Sequence, residues 1–216
     1  MASLGKAGKK KKVANIAMSR VKNQDLALKM QLHIAKKASK LFIKKGYHRT
    51  SIRDLSEETG MSVGSLYNYI HQKEDVLCLV FDVFHRSLRE YLEKQGVYNI
   101  EDPQEQFEAF ICRLLENAQN FRDEIIFMYT ESWLLPQAFK EVFMQKELEN
   151  ILNLENIIKR GIDQGVFRVE HPFYAASMII YQLSIEPLRG WTFKGRYSIE
   201  EINRITADNI LKMVIN

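Results

Sequence analysis

Residues 59–75 read TGMSVGSLYNYIHQKED, and their reading decides the fold. The stretch places Gly64 inside a helical pattern, sets Tyr67 and Tyr69 two apart, and carries no charge until Lys73. On a helical wheel at about 100° per residue, Leu66 and Ile70 fall on one side with Val63 at the margin. Gly64 and Asn68 fall opposite, flanked by Ser65, Tyr67 and Tyr69. A short helix that spends its outward face on small and aromatic uncharged residues is shaped for close approach rather than for water. Glycine inside a helix costs about 1 kcal/mol against alanine, so an offsetting reason is required.

Just upstream, residues 50–60 read TSIRDLSEETG. Ser51 and Asp54 have capping-box spacing, Ile52 and Leu55 face inward, and Gly60 ends the helix. Only Met61 and Ser62 separate Gly60 from the next helix, with Ser62 suited to its N-cap. Two short helices joined by a tight glycine turn define a helix-turn-helix, whose second helix can enter a DNA major groove. A purely structural helical hairpin is the alternative.

Charge favours the first reading. Residues 1–25 carry a net +6, residues 26–76 a net +4, and residues 77–216 a net −6, against +4 for all 216 residues. A basic head on an acidic body is the distribution of a polyanion binder. Lys9–Lys12 lie in a tail over residues 1–25 whose expected contribution is sequence-independent phosphate contact.

Working outward, helical periodicity covers nearly the whole chain and strand signals are almost absent. Leu28, Leu32, Ala35, Ala38 and Phe42 form one stripe over residues 26–45, and Gly46 stops that helix. Further helices are expected over about 74–95, 103–120, 122–135, 137–164, 172–188 and from 198 to the C-terminus. Gly96, Pro136 and Gly165 punctuate them, Pro103 opens one, and Ser198 with Glu201 caps the last. With the pair around Gly60, about nine helices and no sheet make an all-α chain. The expected division is a basic tail (1–25), a DNA-binding domain (26–76) and a larger body (77–216).

Composition excludes several classes. No apolar run approaches the roughly 18 residues of a membrane span. The longest uncharged stretch, residues 172–185, has the length of a buried helix, and no secretory signal opens the chain. A cytoplasmic location follows as the expectation. Cys78 and Cys112 stand alone and read as free, buried thiols; the five histidines show no metal-ligand spacing. No glycine-rich phosphate loop, paired metal ligands or nucleophile elbow marks an enzyme, and neither a metal nor a cofactor is expected.

The residues 50–77, TSIRDLSEETGMSVGSLYNYIHQKEDVL, resemble the helix-turn-helix of TetR-type transcriptional regulators. The family's usual run is T-x-x-[DE]-[IL]-A…G-V-S-x-G-[TS]-L-Y-x-[YH]-F…K-E-x-L. Gly60, Ser62, Gly64, Ser65, Leu66, Tyr67, Tyr69, Lys73 and Glu74 stand at matching places, and LFIKKGYHRTS (41–51) matches the approach to it. Ser56, Met61 and Ile70 depart conservatively from alanine, valine and phenylalanine. The resemblance implies that Thr50 and Ser51 present hydroxyls and amides to a phosphate. It also implies that Ser62, Val63, Gly64, Ser65, Tyr67, Asn68 and Tyr69 form the groove surface, with Lys73 as a phosphate clamp. Val63 stands where the family often has a long polar residue, so direct base readout is thin and DNA shape gains weight.

For the body, the resemblance implies helices around an effector cavity and a homodimer built by the last two helices. The candidate lining is Phe107, Phe110, Ile111, Leu114, Met128, Tyr129, Trp133, Phe139, Phe143 and Tyr181, with Glu131 as a polar anchor. Each of these is also an ordinary core candidate. The uncharged helix 172–185, including Met178 and Tyr181, is expected to be buried on all sides. With the stripe Ile199, Ile202, Thr206, Ile210 and Met213 it would make the dimer interface. The stretch RGWTFKGRYSIEEI (189–202) resembles a TetR subgroup that senses fatty acyl-CoA or related thioesters. The expected function is a dimeric regulator, usually a repressor, on double-stranded inverted-repeat DNA, released by a small apolar effector. The alternatives are a constitutive DNA-binding protein without effector, or a helical enzyme with a basic arm.

Overall fold

The computed structural model describes residues 24–215; the basic tail expected over residues 1–25 lies outside these, apart from its last two residues. Among the described residues there are ten α-helices and no strand. They are α1 Gln24–Lys45, α2 Ile52–Thr59, α3 Val63–Leu66, α4 Lys73–Lys94, α5 Pro103–Asn120, α6 Arg122–Glu131, α7 Gln137–Asp163, α8 Pro172–Gln182, α9 Ile185–Arg189 and α10 Ile199–Val214. The tenth arises because the expected helix over 172–188 breaks after Gln182 and restarts at Ile185. Pro187 therefore sits in the first turn of α9, where its missing N–H has no helical partner to lose, rather than disrupting a helix end.

The chain divides into two compact units, and each has its own core. The first contains residues 24–85 and 126–144, the second 86–125 and 145–215. The boundary expected at residue 76 falls inside α4, where Val76 and Leu77 are fully buried.

In the first unit, α1 buries Ala27, Gln31, Ile34, Ala35, Ala38, Ser39 and Phe42. Leu28, expected in this stripe, is exposed, because the buried face is rotated toward Ala27 and Ile34. Aromatic rings fill the centre. Phe127 of α6 stacks on Phe42 (5.1 Å between ring centroids) and on Phe81 of α4 (5.7 Å), and Phe81 meets Phe143 at 4.8 Å.

In the second unit, Phe107 of α5 meets Phe167 edge-on at 5.4 Å. Phe167 lies over the bare Cα of Gly161, where a Cβ would fall 1.9 Å from its ring. Arg160 of α7 donates to the Gln106 side chain at 2.8 Å and to the Glu101 carbonyl, while Gln106 donates to the Val97 carbonyl at 3.0 Å. Ser198 and Glu201 cap α10 reciprocally, as expected. Cys78 and Cys112 are free, but neither is buried as expected: Cys78 is half-buried on α4 and Cys112 exposed on α5.

Candidate nucleic-acid interface

The head is built by α1, α2 and α3. Ser51 caps α2: its hydroxyl accepts Asp54 N–H at 3.1 Å, and the Asp54 carboxylate accepts Ser51 N–H at 2.6 Å. The Lys45 ammonium, 2.6 Å from Asp54, and the Ser51 donors hold that carboxyl well below the usual carboxylate range. Across the other end, His33 of α1 lies 2.8 Å from the Thr59 carbonyl.

The turn to α3 is a Schellman closure. Met61 N–H reaches the Ser56 carbonyl at 3.2 Å, Gly60 N–H reaches Glu57 at 3.3 Å, and Gly60 sits at φ +69°. That left-handed conformation is why a glycine stands there. Ser62 then caps α3, accepting Ser65 N–H at 3.1 Å. After Leu66 the coil tightens: Asn68 N–H reaches Ser65 and Tyr69 N–H reaches Leu66, both three residues back.

The helical wheel holds in three dimensions. Leu66 and Ile70 are fully buried, while Val63, Gly64, Tyr67 and Asn68 are exposed and Ser65 and Tyr69 half-buried. A Cβ at Gly64 would meet only the Ser62 hydroxyl, at 3.9 Å, and its φ is not positive. Among the described residues, neither backbone geometry nor packing requires a glycine at this position, and its outward side is open.

Three residues expected at phosphates, Thr50, Ser51 and Lys73, have partners within the chain. Thr50 is 2 % exposed and its hydroxyl donates to the Gly46 carbonyl at 2.9 Å, so the side chain is a structural lock rather than a phosphate contact. Ser51 spends its hydroxyl and amide on Asp54. Lys73 lies 4.2 Å above the Tyr47 ring and donates to the His48 carbonyl at 3.3 Å. Burial of this ammonium lowers its pKa. Burial and the nearby Glu74 carboxylate push the Tyr47 hydroxyl up to about 12. Lys73 thus clamps the 46–48 loop to the start of α4.

Sequence reading missed Asp75, which is 3 % exposed and accepts His71 and Gln72 N–H at 2.8 and 3.1 Å, fixing the exit from α3. Its position three residues into α4 was the available signal. Exposed Arg49 and Arg53, two residues to either side of Ser51, entered the sequence reading only as charge.

The body residues separate by exposure. Phe107, Phe110, Ile111 and Leu114 are buried along α5 in the second unit. Met128 is buried, Phe139, Glu131 and Phe143 half-buried, and Tyr129 exposed, all in the first unit. Trp133 is 78 % exposed: it lies in a short 3-10 turn, with Lys140 5.4 Å over its ring and bonded to its carbonyl. It does not line an interior. On α10, Ile202, Thr206 and Ile210 are buried within the single chain and have no surface left for a second copy, whereas Ile199 and Met213 are exposed. The apolar α8 is not buried on all sides either. Ala175, Ala176 and Ile179 face inward, and Phe173, Tyr174, Met178 and Tyr181 remain exposed.

A capped scaffold helix, a glycine turn and an uncharged outward face define a helix-turn-helix DNA-binding regulator. Comparison with known proteins places it further. The family described as bacterial regulatory proteins, tetR family, matches residues 34–78, and the tetracyclin repressor-like C-terminal domain matches residues 101–214. The chain belongs to the TetR family of transcriptional regulators. It is 23% identical over 168 residues to the HTH-type transcriptional regulator HbdR of Aromatoleum sp. (strain CIB), covering 76% of this chain and 71% of that one. The crystal structure of PfmR, a TetR family regulator from Thermus thermophilus, superposes with a TM-score of 0.71 at 27% identity, covering 83% of this chain and 97% of PfmR. AibR in complex with isovaleryl coenzyme A and operator DNA also gives 0.71, at 20% identity over 83% of this chain and 97% of AibR. Among the described residues no helix is long and apolar enough to cross a membrane.

Proposed function

We propose that the chain is a homodimeric repressor that leaves an inverted-repeat operator when a small apolar effector, an acyl-CoA or related thioester, binds its body. The observation that carries the dimer is the outer face of α8. Phe173, Tyr174, Met178 and Tyr181 are 41–67 % exposed on a helix without a single charge. An apolar patch of this kind on one chain marks a protein contact. A second copy meeting it about a two-fold axis buries the same residues on both sides. Ile199 and Met213 of α10 extend the proposed interface in place of the buried Ile202, Thr206 and Ile210. Two α3 helices related by that axis would read half-sites one helical turn or more apart.

The effector half of the proposal rests on the TetR relationship and on the ligand in the AibR complex. Phe107, Phe110, Ile111 and Leu114 of α5 are its proposed lining, which must open from the packed state seen here. Met128, Tyr129 and Glu131 of α6 and Phe143 of α7 belong to the first unit, and Tyr181 lies on the exposed face of α8, so the proposed lining does not include them.

The experiment is a two-way titration. An acyl-CoA series from isovaleryl to stearoyl is titrated with and without saturating operator, and operator with and without acyl-CoA. Coupling of about 1–3 kcal/mol, roughly 5- to 150-fold, must appear with the same factor in both directions. Equal acyl-CoA affinities with and without operator would remove the switch. A promoter-bound transcription assay then reads repression directly.

A further inference from the structure

We infer that Val63 is a specificity-determining residue of the recognition surface, reading the 5-methyl group of one thymine in each half-site. This rests on the operator-binding reading above and deepens it. Tyr67 and Asn68 are exposed further along the outward face, and its leading end offers a base edge few groups. The hydroxyls of Ser62 and Ser65 share a hydrogen bond of 2.8 Å, and Ser62 also accepts Ser65 N–H at 3.1 Å. Ser62 is thus the cap of α3, and the pair keeps a single hydroxyl proton to offer outward. Gly64 contributes no side chain and has open space where a Cβ would be. What remains at the leading end of the face is the Val63 isopropyl group, 37 % exposed beside that gap.

An exposed β-branched residue is a poor choice for a helix start on local grounds, since serine, threonine and the acids serve that turn better. Val63 makes no cap, and the buried side of the turn is filled by Leu66 and Ile70. Its methyl groups cannot read a hydrogen-bond pattern. In the major groove, the apolar feature that distinguishes one base is the thymine methyl. With Gly64 letting the backbone approach, the isopropyl group is the first apolar surface that such a methyl would meet.

The test uses the full-length protein and its own selected operator. Bound sequences are recovered from a randomised duplex pool, and each thymine of the half-site is then replaced singly by deoxyuridine, which lacks only the methyl. One position should weaken wild-type binding about fourfold per half-site, the effect of one buried methyl-sized group. The same replacement should leave Val63→Ala unaffected, because the contact is already gone. Val63 is exposed, so the variant should keep its thermal midpoint, which is checked alongside. A wild-type scan in which no thymine responds would overturn the assignment. So would a Val63→Ala protein that keeps the same deoxyuridine penalty. The inverted repeat is read from the selection itself, before any thymine is altered, so failure of the dimeric reading is distinguishable.

Discussion

The rings of Phe42 and Phe127 stack 5.1 Å apart at an interplanar angle of 27°, joining α1, the first helix of the DNA-binding head, to α6. Phe127 is fully buried and also stacks on Phe81 of α4. Its removal leaves a cavity among three helices at once. Phe127→Ala should therefore cost about 3–5 kcal/mol in urea unfolding. A loss under about 1 kcal/mol, the size of an ordinary surface change, would show that the stack does not hold the unit together.

Gly161 is demanded by packing. A Cβ there would fall within 1.9–2.6 Å of three Phe167 ring carbons. The ring is 5 % exposed and held against Phe107, so it cannot swing aside freely. Gly161→Ala should cost about 1–3 kcal/mol despite alanine's better helix propensity. Gly161→Ala with Phe167→Leu should recover part of the loss, measured by the same denaturant titration.

Glu147 gives a pH signature. Burial pushes its carboxyl up to about 7. The folded chain then holds a proton that the unfolded chain releases near pH 4.5, so stability falls as pH rises between about 4.5 and 7 and is level above that. Glu147→Gln should flatten this slope and raise stability at about pH 8 by an amount on the order of 1–3 kcal/mol. An unchanged slope would mean the carboxyl is ionised throughout.

Dimerisation through α8 predicts a clean separation of assembly from folding. Tyr174 and Tyr181 are 67 % and 53 % exposed in the single chain. Tyr174→Glu with Tyr181→Glu places like charges on a self-complementary face, so the protein should sediment as a monomer with its helical circular dichroism intact. A dimer surviving both changes would move the interface elsewhere.

What the sequence made legible was whatever is encoded locally. Gly46, Gly60, Gly96 and Gly165 read as helix ends, and each carries a positive φ between +69° and +85°. The capping boxes at Ser51 and Ser198 form as their spacing demands. Within the candidate site, the outward set Val63, Gly64, Tyr67 and Asn68 followed from helical periodicity alone. Tertiary partners were not legible. Nothing local says that the Thr50 hydroxyl turns to Gly46, that Lys73 lies on Tyr47, or that Trp133 points outward. The uncharged α8 misled for a similar reason. Periodicity cannot distinguish a helix buried in its own core from one half-covered until another surface meets it.

The assignment of this outward face to DNA is tested most directly by Gly64→Ala. Among the described residues the added methyl has no neighbour closer than 3.9 Å outside its own turn, so their packing loses nothing. The thermal midpoint should stay level or rise, by up to about 1 kcal/mol in stability from helix propensity. Operator affinity, measured by fluorescence anisotropy at fixed salt, should fall roughly 5- to 150-fold, as for an interfacial overpacking cost of roughly 1–3 kcal/mol. An unchanged operator affinity in a fully folded Gly64→Ala protein would contradict it.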